Sequence, residues 1–335
     1  MIENDASCIA RAVQDVSFFY GAAFAVKQGM ESDIMEGSMQ NTKKISKLKD
    51  DGKWAWFMLA PNIIGFFLFM LVPVVATFVL SFTKYDMLTT PQFIGLKNYI
   101  DMAKDPIIWE VTKNTVIYTV ITVPVGMCFS LLLAVMLDQK IGFRRFYRAA
   151  FFLPSITSMV VVAIVWQWIY NPDYGILNFV LSIFGIQGPK WLLESSTSLL
   201  SLAIVGIWKN AGYNMIIFLS GLQGISTSLY EASELDGANK LQQFRYITVP
   251  MLRPTTFFIF VMSIIGSFQV FDQVMLMTKG GPGRSSSVLV HYLYQNAFQY
   301  FKLGYACAIA YLLFFIVMVI TVFNMRMEKS MREIY

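Results

Sequence analysis

The sequence is poor in the residues that metal and nucleophile chemistry require. It has a single histidine, His291, which excludes a metal or triad site built on two or more histidines. Its three cysteines, Cys8, Cys128 and Cys307, show no C-x-x-C spacing, and two of them lie inside apolar runs. A disulfide or zinc framework is therefore not expected. Charge is scarce as well: 14% of residues are charged, against roughly a quarter in an ordinary soluble domain. The glycine-rich stretch Gly280-Gly-Pro-Gly-Arg-Ser-Ser-Ser287 lacks the G-x-x-x-x-G-K-[ST] spacing of a phosphate loop. No nucleotide site is supported, so an energy source for active work has to come from another chain.

Apolar surface is abundant. The 335 residues are 56% hydrophobic with a mean hydropathy of +0.56, too apolar to be covered by a water-compatible surface, and lipid is the expected solvent. Six stretches, near 55–80, 112–137, 149–170, 199–222, 255–278 and 304–325, are long enough to cross about 30 Å of hydrocarbon as helices. Pro61, Pro73, Pro124 and Pro154 interrupt several, which a bundle tolerates when neighbouring helices satisfy the freed backbone groups. The fold class expected is an all-α membrane protein of about six transmembrane helices.

The pI of 8.9 does not indicate nucleic acid, because the basic residues sit in short links between apolar runs. Lys43, Lys44, Lys47, Lys49 and Lys53 precede the first span, Lys140, Arg144, Arg145 and Arg148 follow the second, Lys240, Arg245 and Arg253 follow the fourth, and Arg326, Lys329 and Arg332 lie in the tail, 15 in all. The alternate links hold eight. The positive-inside rule then puts both termini and the 223–254 link in the cytoplasm. Residues 1–53 read as a cytoplasmic extension, 54–325 as the transmembrane domain and 326–335 as a cytoplasmic tail. Within the extension the apolar run Val16–Val26 is too short to span and is followed by no A-x-A-like site, so 1–38 is expected to be a dispensable or misassigned extension. Between spans three and four, Ile176 to Phe184 is also too short to cross, and belongs at an interface.

The link after span four contains the most local signals. Ser228 and Glu231 have the spacing of a capping box, Gly237 suits a left-handed C-terminal cap, and Asn239 with Gln242 can cap a second helix. Pro250 and Pro254 are expected to close that helix before span five. The result is a helix-turn-helix with Ala232, Ser233 and Ala238 as small surface residues. Capping chemistry alone favours an ordinary amphipathic linker.

Polar side chains within spans are costly and usually face the bundle interior. Span four places Gly206, Asn210 and Asn214 at i, i+4 and i+8, with Lys209 beside them. Span five is read as placing Gly266, Gln269 and Gln273 on one face, with Asp272 adjacent. Amides both donate and accept, which suits a neutral polyhydroxyl ligand, and Trp208, Tyr213, Phe268 and Phe271 could stack on sugar faces. The same residue types serve helix–helix hydrogen bonding, so each of Asn210, Tyr213, Asn214, Phe268, Gln269, Asp272 and Gln273 stays open between the two roles. Lys209 and Asp272 could also pair with a partner subunit.

Several segments resemble the membrane-spanning permeases of ATP-binding-cassette (ABC) importers, in the sugar-transporting branch related to the maltose transporter. The loop pattern of that family, Glu-Ala-Ala, then a glycine, then an isoleucine and Leu-Pro, is matched by Glu231-Ala232-Ser233, Asp236-Gly237-Ala238, Ile247 and Val249-Pro250. Ser233 and Val249 depart from it conservatively. Asn114-Thr115, Leu153-Pro154, Trp166 to Pro172, Asn214 to Gln223, Ser267 to Asp272, Gly280-Gly281-Pro282 and Phe301 to Tyr305 extend the resemblance over most of 54–325.

The resemblance implies a type I importer permease fold without catalytic or metal residues. It implies that the 228–250 loop docks into an ATP-binding subunit. Two such subunits would bind ATP and Mg, this chain binding no cofactor. A second, related permease and an external solute-binding protein that delivers the carbohydrate would complete the complex. A secondary carrier for a polar solute is the alternative from another class; it would be expected to carry paired repeats and ion-coupling carboxylates near the midplane. A membrane scaffold would explain the topology but not the loop pattern.

Overall fold

The computed structural model describes residues 48–139 and 142–332. The apolar run Val16–Val26, residues 1–38 as a whole and the link residue Lys140 lie outside the described residues. The chain divides into two compact units, one holding the described residues up to Tyr99 together with Phe301–Ala308, the other Ile100–Tyr300 and the chain from Ile309 on.

In the first unit, helix α1 (Leu48–Phe66) passes through a π-turn at Phe67–Leu71 into α2 (Val72–Ser81). Pro73 sits just after that π-turn. A proline removes one donor and presses on the carbonyl four residues back, and the wider i→i+5 turn, closed by Val72 N–H on Phe67 O, relieves both. Strands β1 (Thr83–Lys84) and β2 (Gln92–Phe93) pair antiparallel. Asn98 fixes them by donating from Nδ2 to Ser81 O at 2.8 Å and Thr83 O at 2.9 Å. A Cβ on Gly304 would collide with Thr83 O, so that crossing admits only glycine.

The second unit contains most of the bundle. Helix α3 (Lys97–Lys104) leads to α4 (Pro106–Asp138), which Asp105 caps by accepting from Ile107 N–H at 2.9 Å. Then follow α5 (Arg144–Ile156), α6 (Met159–Ile169), α7 (Ile176–Ile183) and α8 (Ser198–Gln223). Next come α9 (Thr227–Leu235), α10 (Lys240–Gln243), a π-turn at Phe244–Thr248, α11 (Val249–Met251), α12 (Arg253–Phe268) and α13 (Asp272–Met277). Helices α14 (Leu289–Tyr294) and α15 (Leu303–Arg332) complete the chain. Two apolar clusters hold the bundle together. Tyr118, Val162, Leu202, Val205 and Val274 belong to one, and Leu133, Met215, Phe218, Leu252 and Ile259 to the other.

By length and composition four helices among the described residues can cross a membrane: Trp56–Ser81, Pro106–Asp138, Ser198–Gln223 and Leu303–Arg326. They match four expected spans within a few residues. The other two expected spans are not straight. The expected third falls on the pair Arg144–Ile156 and Met159–Ile169, bent by 99°, and the expected fifth on Arg253–Phe268, which meets the loop segment Lys240–Met251 at a bend of 63°. Expected span five ran to 278, but its helix stops at Phe268. There Ser267 Oγ donates back to Ile264 O at 2.8 Å and to Thr119 Oγ1 at 2.9 Å, and a hydroxyl bonded to its own preceding turn loosens a helix end. The short run Ile176 to Phe184 is a helix of its own, α7, exposing Phe179, Ile183 and Phe184, as an interfacial segment would.

The glycine-rich segment 280–287 is bound up in its own hydrogen bonds. Ser286 Oγ donates to Thr278 Oγ1 and Gly281 O, Ser285 shares a hydroxyl bond with Ser198, and Asn114 Nδ2 donates to Arg284 O and Ser287 O. Gly280, at φ +79°, lies against His291, whose Nδ1 meets Ser287 Oγ at 2.9 Å. The single histidine is thus a buried loop anchor, and burial pushes its pKa down.

Candidate functional site

Two regions carry the residues of interest, and the clearest is the loop between α8 and α12. Helix α9 starts at Ser226, whose hydroxyl bonds Ser228 Oγ at 2.7 Å instead of a backbone N–H. The capping box expected between Ser228 and Glu231 is therefore not formed. With two serines so close, the hydroxyls satisfy each other and the helix begins before Ser228. The other end follows expectation. Gly237 has φ +80°, its N–H donates to Glu234 O at 3.1 Å, and Ala238 N–H reaches Ser233 O at 2.9 Å. These two bonds form a Schellman cap, closed by the one residue type without a Cβ penalty there.

Helix α10 starts with the expected reciprocal box: Gln242 N–H donates to Asn239 Oδ1 at 2.9 Å, and Asn239 N–H to Gln242 Oε1 at 2.8 Å. The helix does not close at Pro250. As at Pro73, a π-turn precedes the proline, with Val249 N–H bonded to Phe244 O, and helical backbone continues to Met251 before the 63° bend.

Buried Gln243 joins the two loop helices, donating from Nε2 to Ser233 Oγ at 2.9 Å and Tyr230 O at 3.3 Å, while Tyr230 OH meets Thr248 Oγ1 at 2.9 Å. Ser233, expected as a surface contact, is half-buried and bonded inward; Ala238 is half-buried too. Lys240 Nζ bridges the turn to Glu234 Oε1 at 2.6 Å, and that hydrogen bond holds the Glu234 carboxyl below its usual range. Ile247 and Pro250 are half-buried, and Ile247 packs on the cluster around Phe218. Glu231, Ala232, Asp236 and Gly237 are exposed, and so are Leu235 at 91%, Leu241 at 76% and Tyr246 at 69%. The hairpin of helices is hydrogen-bonded within itself and presents two leucines and a tyrosine to the outside. Gln243 and Tyr230 escape sequence reasoning because a polar residue in a polar link gives no sign of burial.

The second region is polar and lies within the bundle. Gln273 is buried and its Nε2 donates to Tyr118 OH, against Gly206, where a Cβ would strike the Tyr118 hydroxyl. Tyr118 gives no signal in the sequence because it stands in a long apolar run. Asn210 is exposed and donates from Nδ2 back to Gly206 O at 3.0 Å. Tyr213 is exposed and Asn214 half-buried. Gly266, Gln269 and Gln273 do not share a face, since α12 ends between Gly266 and Gln269. Gln269 is half-buried at that helix end, Phe268 is buried, and Asp272 is exposed at the first position of α13. A cavity of about 370 Å³ lies elsewhere, between the end of α6 and the 277–282 segment. Gln167, Tyr170, Asn171, Lys190 and Thr278 are among its lining residues, and none of the seven path candidates is. No cluster of three or more histidine, cysteine or acidic residues occurs among the described residues.

Lys209 proves to have a partner within the chain. Its Nζ donates to Thr157 O at 2.7 Å, Pro154 O at 3.2 Å and Ser155 O at 3.4 Å. These carbonyls lie where α5 stops and the span bends by 99°. The last carbonyls of a helix have no partner in their own helix, and in lipid each needs one. An ammonium supplies three donors and complements the negative helix end. Close by, a Cβ on Gly212 would run into backbone atoms of Phe151 and Phe152, so α5 and α8 touch main chain to main chain.

Four helices able to cross a membrane and two bent apolar helix pairs among the described residues define a multi-pass membrane protein. Comparison with known proteins makes this specific. Residues 115–332 match the family described as binding-protein-dependent transport system inner membrane component. A probable ABC transporter permease of Bacillus subtilis, YurN, is 36% identical over 283 residues, covering 83% of this chain and 97% of that protein. The arabinooligosaccharide transport permease AraP of the same organism is 31% identical over 280 residues, covering 83% and 89%. A subunit of the solved bacterial alginate ABC transporter has the same fold, with a TM-score of 0.77 at 24% identity over 85% of this chain and 97% of that one. This chain belongs to the binding-protein-dependent transport permeases, and is a multi-pass membrane protein of an ABC importer.

Proposed function

We propose that this chain forms the transmembrane path for a sugar or oligosaccharide delivered by an external solute-binding protein. Hydrolysis of ATP with Mg in two partner subunits is coupled to it through the 228–250 loop. The carbohydrate assignment is supported by relatives named for arabinooligosaccharides and by a structural neighbour solved with an alginate-bound periplasmic protein. A second, related permease completes the path, and both termini face the cytoplasm, as the distribution of basic residues suggests.

The loop carries this reading. Its two helices are locked by a Schellman cap, a capping box and Gln243, yet they expose Leu235, Leu241 and Tyr246. A linker needs no such rigidity. Rigidity is what transmits a push from an ATPase to the spans on either side, because α8 enters the loop and α12 leaves it.

Gly237 provides the test. A Cβ placed there meets nothing within 4 Å in this chain, but φ is +80°. Gly237→Ala and Gly237→Trp therefore share the same backbone strain, about 1 kcal/mol, and differ only in what they present outward. Co-purification of an ATP-binding subunit from native membranes is expected with wild type, nearly unchanged with Gly237→Ala and strongly reduced with Gly237→Trp. Equal recovery with Gly237→Trp would remove the loop from the interface. Well-behaved wild type that brings no ATPase would defeat the coupling proposal.

A further inference from the structure

The end of the bundle where α4 stops, α5 starts and α8 stops carries more positive charge than its own carboxylates neutralise. Arg144 and Arg148 stand one turn apart on α5 and point the same way. Gln223 is the last residue of α8. With its amide oxygen turned to the arginines, it accepts from Arg148 Nη2 at 2.8 Å and Arg144 Nη2 at 2.9 Å. The opposite orientation would set an NH₂ group against donors alone. Two cations thus converge on one neutral oxygen. Asp138, at 3.1 Å from Arg144, is the single carboxylate in ion-pair contact, and among the described residues Arg148 has none. Among the described residues the buried Nε–H groups of both arginines find no acceptor, an arrangement that folded chains rarely leave uncompensated.

The surroundings identify the anion. A pair of guanidinium forks suits a phosphate, which accepts several N–H groups at once. Arg144, Tyr147, Arg148 and Phe151 follow at i, i+3, i+4 and i+7, so this stripe of α5 runs from charge into aromatic surface. Tyr147 is 44% and Phe151 39% exposed. Phe143 and Phe146 are exposed on the same first turn. Aromatic residues beside cations at the end of a span mark the headgroup level of a bilayer. A soluble phosphate has no use for an apolar stripe leading away from the charge, whereas a lipid has acyl chains to lay along it.

We infer that Arg144 and Arg148 form a binding site for the phosphate of an anionic phospholipid, with Tyr147 and Phe151 against its acyl chain. Thermal unfolding of the full chain, extracted in mild detergent with its accompanying subunits, tests this. Dioleoylphosphatidylglycerol is expected to raise the midpoint and dioleoylphosphatidylcholine to leave it unchanged. Arg148→Gln should weaken the phosphatidylglycerol response about tenfold in lipid concentration, while Lys190→Gln, which removes an exposed cation elsewhere, keeps it. Should Arg148→Gln not yield folded protein, Arg148→Lys carries the test. It keeps the charge but loses the fork, and must weaken the response severalfold. An equal rise with inorganic phosphate alone would assign the site to a soluble anion and overturn the lipid. So would a phosphatidylglycerol response unchanged in the Arg148 variants. Wild type that ignores the lipid, combined with an Arg148→Gln chain that loses a co-purified subunit, would give these cations to a protein partner instead.

Discussion

Replacing Lys209 with methionine isolates the role of the ammonium at the bend of the third span. Methionine keeps the unbranched stem and loses only the charge and its donors. Three carbonyls then lose a partner, one held at 2.7 Å and two at 3.2 and 3.4 Å. Hydrogen bonds to charged groups contribute about 1.5–3 kcal/mol, so three full ones would sum to about 4.5–9 kcal/mol. Two opposing effects reduce that figure. The longer pair is weak, and methionine no longer bears the cost of a charge held among helices. Neutral bonds between membrane helices average only about 0.6 kcal/mol, which sets the lower limit. The expected loss is about 2 kcal/mol, and at about 2.1 cal/mol/K of unfolding entropy per residue it lowers the unfolding midpoint of a chain of this size by about 3 °C. The measurement is thermal unfolding in mild detergent, with substrate uptake followed in parallel. If Lys209 pins the bend, Lys209→Met loses both stability and uptake. An unchanged midpoint with a raised uptake KM would show that the ammonium faces the transported solute, and the reasoning from the carbonyls would be refuted.

Two further outcomes are expected. Gly212→Ala forces a methyl group onto the backbone of Phe151 and Phe152 and should destabilise by about 1–3 kcal/mol. Gly266→Ala, with nothing within 4 Å of its Cβ, should be neutral in the same unfolding assay; equal midpoints for the two variants would contradict the close approach. Asn214→Leu should lower uptake while the complex still assembles, as judged by co-purification, and unchanged uptake would take Asn214 off the path.

What could be read in the sequence, and what could not, follows from where each interaction finds its partner. Hydropathy is a sum over one segment, and it located the four straight spans to within a few residues because a straight span satisfies its own backbone. Caps are similarly local. Gly237 and the Asn239–Gln242 box could be assigned because their partners lie within five residues. The failure at Ser228 is of the same local kind, since two hydroxyls competed where the spacing rule allowed for one.

The bends are a different matter. An apolar window has the same mean whether its helix continues or breaks. The break at Thr157 persists because a lysine more than fifty residues later reaches its carbonyls, and the end of α12 at Phe268 is tied to Thr119 on α4. The sequence pattern showed Lys209 as an intramembrane charge beside the polar stripe of span four, with a partner subunit as one candidate counterpart. The structure gives it the broken helix end instead. That assignment has a mechanistic consequence. The bend between α5 and α6 is held by the Lys209 ammonium of α8, the helix that runs directly into the 228–250 loop proposed to couple to the ATPase. On the coupling proposed above, a push received at Leu235 and Leu241 has a covalent route up α8 to Lys209, and through its ammonium to the bend. Lys209→Met would leave the loop intact and sever only the last of these links, so ATP hydrolysis in the mutant complex should continue with less solute moved per ATP.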